Sequence, residues 1–183
     1  TTIVQQASRS HNDGAARPLG YTAPNPIYTF SEKLQKARTM EDVEAILARA
    51  KQRALEMKLS YTGALLPKEA FALLKEVPGA TLVDVRTQAE WYWVGRIRGA
   101  VTVEWSGYPG GARNPDFLRQ LQAAVPITSA PVMFLCRSGH RSHHAAAQAT
   151  GAGYANCFNV LEGFEGDRDA GGHRNSVGGW RAA

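Results

Sequence analysis

The chain has 183 residues, of which 44% are hydrophobic and 20% charged, with a formal net charge of +5. This is a globular mix, long enough to bury one core without staples, and it excludes fibrous and low-complexity classes. Two cysteines cannot build a disulfide framework, and no stretch approaches the ~20 apolar residues of a membrane-spanning helix, so a reducing, cytoplasmic setting is expected unless a periplasmic signal preceded Thr1.

In chain order, residues 1–28 are polar, with Pro18, Pro24 and Pro26, and read as an extended leader in which His11 stands alone. Residues 29–60 read as a helical extension. Its helix is expected over Ser31–Lys58, with Thr39 as an N-cap before Glu41 and Asp42, and an apolar stripe of Val43, Ile46, Leu47, Ala50, Ala54 and Met57. Residues 61–183 form the main domain. Pro67–Glu76 is predicted helical, with Pro67 at the first position, where its missing N–H costs nothing. Strands are predicted at Thr81–Arg86, Ala100–Glu104, Pro131–Leu135 and Asn156–Leu161. Helices are predicted at Asp116–Ala124 and Ser142–Thr150, and loops over Ser106–Asn114 and Glu162–Ala183. Strands alternating with helices give an α/β fold with a parallel sheet flanked by helices, and such sheets bind ligands beyond the carboxyl ends of their strands. The two exits to examine are those after Arg86 and Leu135.

The second exit reads Cys136-Arg137-Ser138-Gly139-His140-Arg141-Ser142. A cysteine at the tip of a buried strand faces the start of a helix, whose positive dipole end favours a thiolate nucleophile. The loop's N–H groups can turn inward as an anion nest, and Gly139 permits the left-handed curl this needs. Arg137 and Arg141 add positive charge, Arg141 is able to lock the loop through paired bonds, and Ser142 is placed to cap the helix. A buried structural cysteine beside an arginine-rich turn would not require all these features together.

This segment resembles the active-site loop of the rhodanese family. Asp84-Val85-Arg86, Glu90-Trp91 and Gly95-Arg96-Ile97-Arg98-Gly99-Ala100 resemble the family's opening pattern of D-x-R, E-[FWY] and G-H-I-x-G-A. Asn159–Phe164 and Gly179-Trp180 resemble its last segment, so the likeness runs from about Tyr61 to the end. The resemblance implies a five-stranded parallel sheet flanked by helices, preceded here by the helical extension. It also implies a sulfurtransferase that moves sulfane sulfur from thiosulfate or a similar small anionic donor to cyanide or a thiol, through a persulfide on Cys136 and without a cofactor. The backbone from Arg137 to Ser142 would hold the persulfide. Arg137 and His140 would face the donor, Arg141 would pair with Asp84 or Glu90, Arg86 would serve either donor or loop, and Asp84 would anchor the loop. Arg96 departs from the family's histidine.

Two other readings remain open. Cysteine phosphatases and arsenate reductases also cup an anion with a Cys–Arg loop, but place five residues between the two; here there are four. A non-catalytic rhodanese module, or a relay passing sulfur to a partner protein, is the other. His140, His143 and His144 crowd together but read as helix-start side chains rather than a metal site. Cys157 reads as inert core, and Trp91, Trp93 and Trp105 as core and pocket wall. No nucleic-acid or membrane partner is expected.

Overall fold

The computed structural model describes residues 29–127 and 129–183; the expected leader over 1–28 and His11 lie outside them. The chain begins with α1 (Phe30–Glu56), β1 (Gly63–Leu65) and α2 (Pro67–Glu76). Next come β2 (Thr81–Asp84), α3 (Gln88–Trp93), β3 (Val101–Thr102) and α4 (Phe117–Ala124). It ends with β4 (Val132–Leu135), α5 (His140–Gly151) and β5 (Cys157–Val160). The five strands form one parallel sheet in the order β1-β5-β4-β2-β3.

Strand alternation sorts the core into two layers. On one face Leu65, Leu82, Met133, Leu135, Phe158 and Val160 meet Ile46 and Ala50 of α1 and Ala70 and Leu73 of α2. On the other, Val83, Phe134 and Cys157 meet Phe117 and Leu121 of α4 and Ala145, Ala146 and Ala149 of α5. The alanines of α5 let that helix lie close to the sheet. Each fully buried Leu or Phe contributes roughly 1.5–3 kcal/mol. Cys136 projects into the α5 layer, which decides the side on which its chemistry lies.

Helix α1 begins well before Thr39. Its N-cap is Thr29, whose hydroxyl accepts from Glu32 N at 3.2 Å while Glu32 accepts from Thr29 N at 2.7 Å. Thr39 lies mid-helix with its hydroxyl on Gln35 O, so the acids at Glu41 and Asp42 do not mark a helix start. The carboxyl half of α1 is tied to α2 by Glu69, which accepts from Arg49 and Arg53 and from Leu66 N. Burial pushes the Glu69 carboxyl up, but these donors outweigh it and lower its pKa.

Strand β1 and helix α3 were not among the predicted elements. Three residues are too few for a visible alternation, and Gly63 is glycine because a Cβ would come within 2.9 Å of the Ala50 backbone and the Phe158 ring. The strand expected over Ala100–Glu104 keeps only two paired residues.

Candidate active site: an amide cup around Cys136

Cys136 leaves β4 at its carboxyl end, and the chain curls into α5. Two close approaches shape the curl. Gly139 has φ +91°, and a Cβ there would collide with Leu161 O. Gly163 has φ +62°, and a Cβ there would lie 2.5 Å from Cys136 O and 2.6 Å from Ser138 N. Only glycine fits at either place.

The turn after β5 therefore backs directly onto the loop and takes its carbonyls. Phe164 N donates to Cys136 O at 2.8 Å, and Glu165 N to Arg137 O at 2.9 Å. Asn159 Nδ2 and His143 N both donate to Gly139 O, at 3.1 Å each. The carbonyls of Cys136, Arg137 and Gly139 are thus all occupied from within the fold. Among the described residues no acceptor meets the six amides from Arg137 to Ser142. The amides of His140, Arg141 and Ser142 are the donors that every helix start leaves without an intrahelical partner, and donors gathered in this way can serve an anion.

Ser142 does not cap α5. The N-cap is Gly139, because the left-handed turn starts the helix at His140. Ser142 instead lies fully buried and donates its hydroxyl to Cys136 Sγ at 3.2 Å. Cys136 sits at the floor of the cup with only 1% of its surface exposed. Beside the cup is a cavity of about 360 Å³ whose walls include Glu90, Gly107, Tyr108, Arg137 and Arg141.

Arg141 pairs with Glu90, not Asp84. Its two terminal nitrogens donate to the two carboxylate oxygens at 2.7 Å each. Glu90 also closes the capping box of α3 by accepting from Thr87 N and Oγ1 at 2.9 and 3.0 Å. Burial pushes the Glu90 carboxyl up, but Arg141 and Thr87 overcome it and hold the pKa at about 2.

Asp84 and Arg86 pair with each other. Arg86 Nε and Nη2 donate to Asp84 at 3.0 and 2.6 Å, and Arg86 N adds a bond to Asp84 Oδ1 at 3.0 Å. The Arg86 guanidinium lies 3.9 Å from the centre of the Phe164 ring and is fully buried. The expected role of Arg86 toward the donor is therefore corrected: the side chain is fully buried, its Nε and Nη2 are engaged by Asp84 and Gly95 O, and its Nη1 is buried without an acceptor among the described residues. The pair fixes Phe164, and through Phe164 N the back of the cup.

The remaining candidates divide by exposure. Arg137 and His140 are exposed at the rim, and the Arg137 side chain has no ion-pair partner among the described residues. His143 Nδ1 is 2.8 Å from Tyr61 Oη, and His144 stacks on Trp105. Among the described residues no three His, Cys, Asp or Glu side chains gather as metal ligands. Cys157 is fully buried, and burial raises its thiol pKa. Trp105 is core and Trp91 lines a cavity, but Trp93 is 81% exposed and is neither. Asn159 and Gly163 were not singled out from the sequence as supports of the cup. An Asn inside an otherwise apolar strand was the available signal.

Residues 66–170 match the family described as the Rhodanese-like domain. The chain belongs to that family. The rhodanese match begins just after β1, so α1 stands outside it. A crystal structure of Rv0390 from M. tuberculosis is 47% identical, with a TM-score of 0.62, over 67% of this chain and 93% of that one. An uncharacterized protein of Rickettsia conorii, RC0915, is 36% identical over 116 residues, 60% of this chain and 89% of its own length. The thiosulfate sulfurtransferase GlpE of Pseudomonas entomophila is 32% identical over 99 residues, 54% of this chain and 78% of its own length. Among the described residues no helix is long and apolar enough to cross a membrane.

Proposed function

We propose that this rhodanese-family chain is a sulfurtransferase that carries sulfane sulfur on Cys136. The observation that carries the reading is the loop from Arg137 to Ser142, whose six amides meet no acceptor among the described residues and whose last residue donates its hydroxyl to Cys136 Sγ. In the first half-reaction the sulfur of Cys136 attacks the outer sulfur of thiosulfate. The thiosulfate S–S bond breaks, sulfite leaves with the electron pair, and a Cys136 persulfide remains. The amides then stabilise the terminal sulfur anion as an oxyanion hole stabilises oxygen. In the second half-reaction cyanide or a thiolate attacks that outer sulfur, and Cys136 leaves as the thiolate. One difficult transfer becomes two easier ones.

Arg137, charged and exposed at the rim, is the group that meets the donor's anionic end. Arg141 holds the cup's shape by its bond to Glu90 and is not free to receive an anion. This argues against phosphoryl chemistry, in which an arginine at that place would have to face the substrate. Because Cys136 is nearly covered, the substrates that suit it are small.

The test is intact mass after incubation with thiosulfate. A gain of one sulfur atom is expected, absent in Cys136→Ser, retained in Cys157→Ser, and released as thiocyanate by cyanide. Absence of the sulfur adduct in the wild type, or its persistence in Cys136→Ser, would refute the proposal.

A further inference from the structure

A second cavity lies on the opposite layer from Cys136, between α2, the turn before β3 and the last turns of the chain. It has a volume of about 600 Å³, within the range of small-molecule sites. Its floor is apolar, made by Leu74, Ala80, Leu82, Ile97 and Ala100. One wall is aromatic: Phe71 meets Trp180 edge to face, with ring centres 6.2 Å apart. Phe71 is 54% exposed there.

Its charge is one-sided. Lys75, Arg96 and Arg98 line it, and no Asp or Glu does. None of the three makes an ion pair among the described residues; Lys75 lies over the Phe71 ring at 5.8 Å and Arg96 over the Trp91 ring at 5.9 Å, so their charge meets aromatic faces and no carboxylate. The turn carrying two of the cations is fixed by the bond from Ala100 N to Ile97 O at 3.2 Å. Three cations with no carboxylate among the lining residues leave the hollow positively charged, and a positive hollow draws in an anion. An inorganic anion would leave the apolar floor uncovered, and a neutral hydrocarbon would leave the cations unmatched.

We infer that this cavity binds a small amphipathic anion, with its apolar body between Phe71, Trp180 and the Leu82–Ile97 floor, and its anionic head at Arg96, Arg98 and Lys75. The site opens on the other layer from Cys136, shares only Phe164 with the support of the loop, and stands whether or not Cys136 transfers sulfur.

The test uses the full chain and the fluorescent dye 8-anilinonaphthalene-1-sulfonate, an aromatic anion, followed by its own emission and by quenching of tryptophan. Saturable binding is expected, with displacement by octanoate and by 2-naphthoate, which separate an aliphatic from an aromatic body, but not by 1-octanol at equal concentration. Arg96→Gln with Arg98→Gln should weaken dye and octanoate by roughly tenfold, as loss of two exposed ion pairs would. Arg38→Gln with Arg119→Gln removes the same charge away from the cavity and should leave binding unchanged. Phe71→Ala should weaken dye and both acids. Unsaturable dye binding, equal displacement by octanol, or equal weakening by the two charge-removing pairs would each overturn the inference.

Discussion

Replacing Glu90 by Gln tests the clamp that gives the cup its shape. The change keeps the side chain's size and removes its charge, leaving the Arg141 guanidinium, 22% exposed, without a counterion. Two routes give the magnitude. The drop of the Glu90 carboxyl from its ordinary 4.5 to about 2 corresponds to roughly 3 kcal/mol of stabilisation at neutral pH. Breaking a fully buried pair costs about 3–5 kcal/mol, and partial exposure brings this one to about 2–3 kcal/mol. Urea melts at pH 7 should therefore place Glu90→Gln about 2–3 kcal/mol below wild type. The pH dependence gives a sharper test. The folded-state pKa lies below the unfolded one, so the stabilisation is complete above the unfolded value and drains away as pH falls toward 2. The gap between wild type and variant should shrink by about 1 kcal/mol or more between pH 7 and pH 3.5, because protonating Glu90 does to the wild type what the substitution does to the variant. A gap that stays flat over that range, or is under about 0.5 kcal/mol at pH 7, refutes the assignment of the Arg141–Glu90 pair as the clamp.

Other outcomes follow from the same geometry. Gly139→Ala should cost more than about 3 kcal/mol or prevent folding, since the new Cβ collides with Leu161 O as well as straining φ, whereas Gly110→Ala, at φ +94° with nothing within 4 Å, should cost only about 1–2 kcal/mol; similar urea midpoints for the two would show that the clash is unimportant. Ser142→Ala should slow sulfur transfer about tenfold, equivalent to one hydrogen bond to the reacting sulfur, with thiosulfate KM little changed; an unaltered turnover rate would remove Ser142 from the chemistry. Iodoacetate should alkylate Cys136 faster than neutral iodoacetamide, the reverse of an ordinary thiol, because the amide ring and Arg137 draw the anion in; peptide mass mapping shows which thiol reacts, and preference for iodoacetamide would count against an anion-selective cup. Tyr154→Phe should lower stability by about 1–3 kcal/mol, because Val125 O then loses the hydroxyl that now donates to it at 2.6 Å deep in the α5 layer.

Sequence alone determined what is local. The run from Cys136 to Ser142 holds, in seven consecutive residues, a strand end, a glycine for the turn and a helix start, so this junction could be read directly. Helix α2 was legible to the residue, because Pro67 opens it and Pro78-Gly79 follows its end. What sequence could not assign were choices between partners distant along the chain. Arg141 had two acidic candidates, and only packing decided that Asp84 is consumed by its near neighbour Arg86 while Glu90, from α3, swings across to Arg141. The sequence suggested an inward turn of the loop's amides, but not that Phe164 and Glu165, beyond β5, would supply the donors for the carbonyls of Cys136 and Arg137. Ser142 was misread as a cap because its position relative to the left-handed Gly139 turn is set by that same contact. Local hydrogen bonding and chain stiffness are written residue by residue, whereas the satisfaction of buried charges and amides is a competition that only the assembled sheet and its two helical layers can resolve.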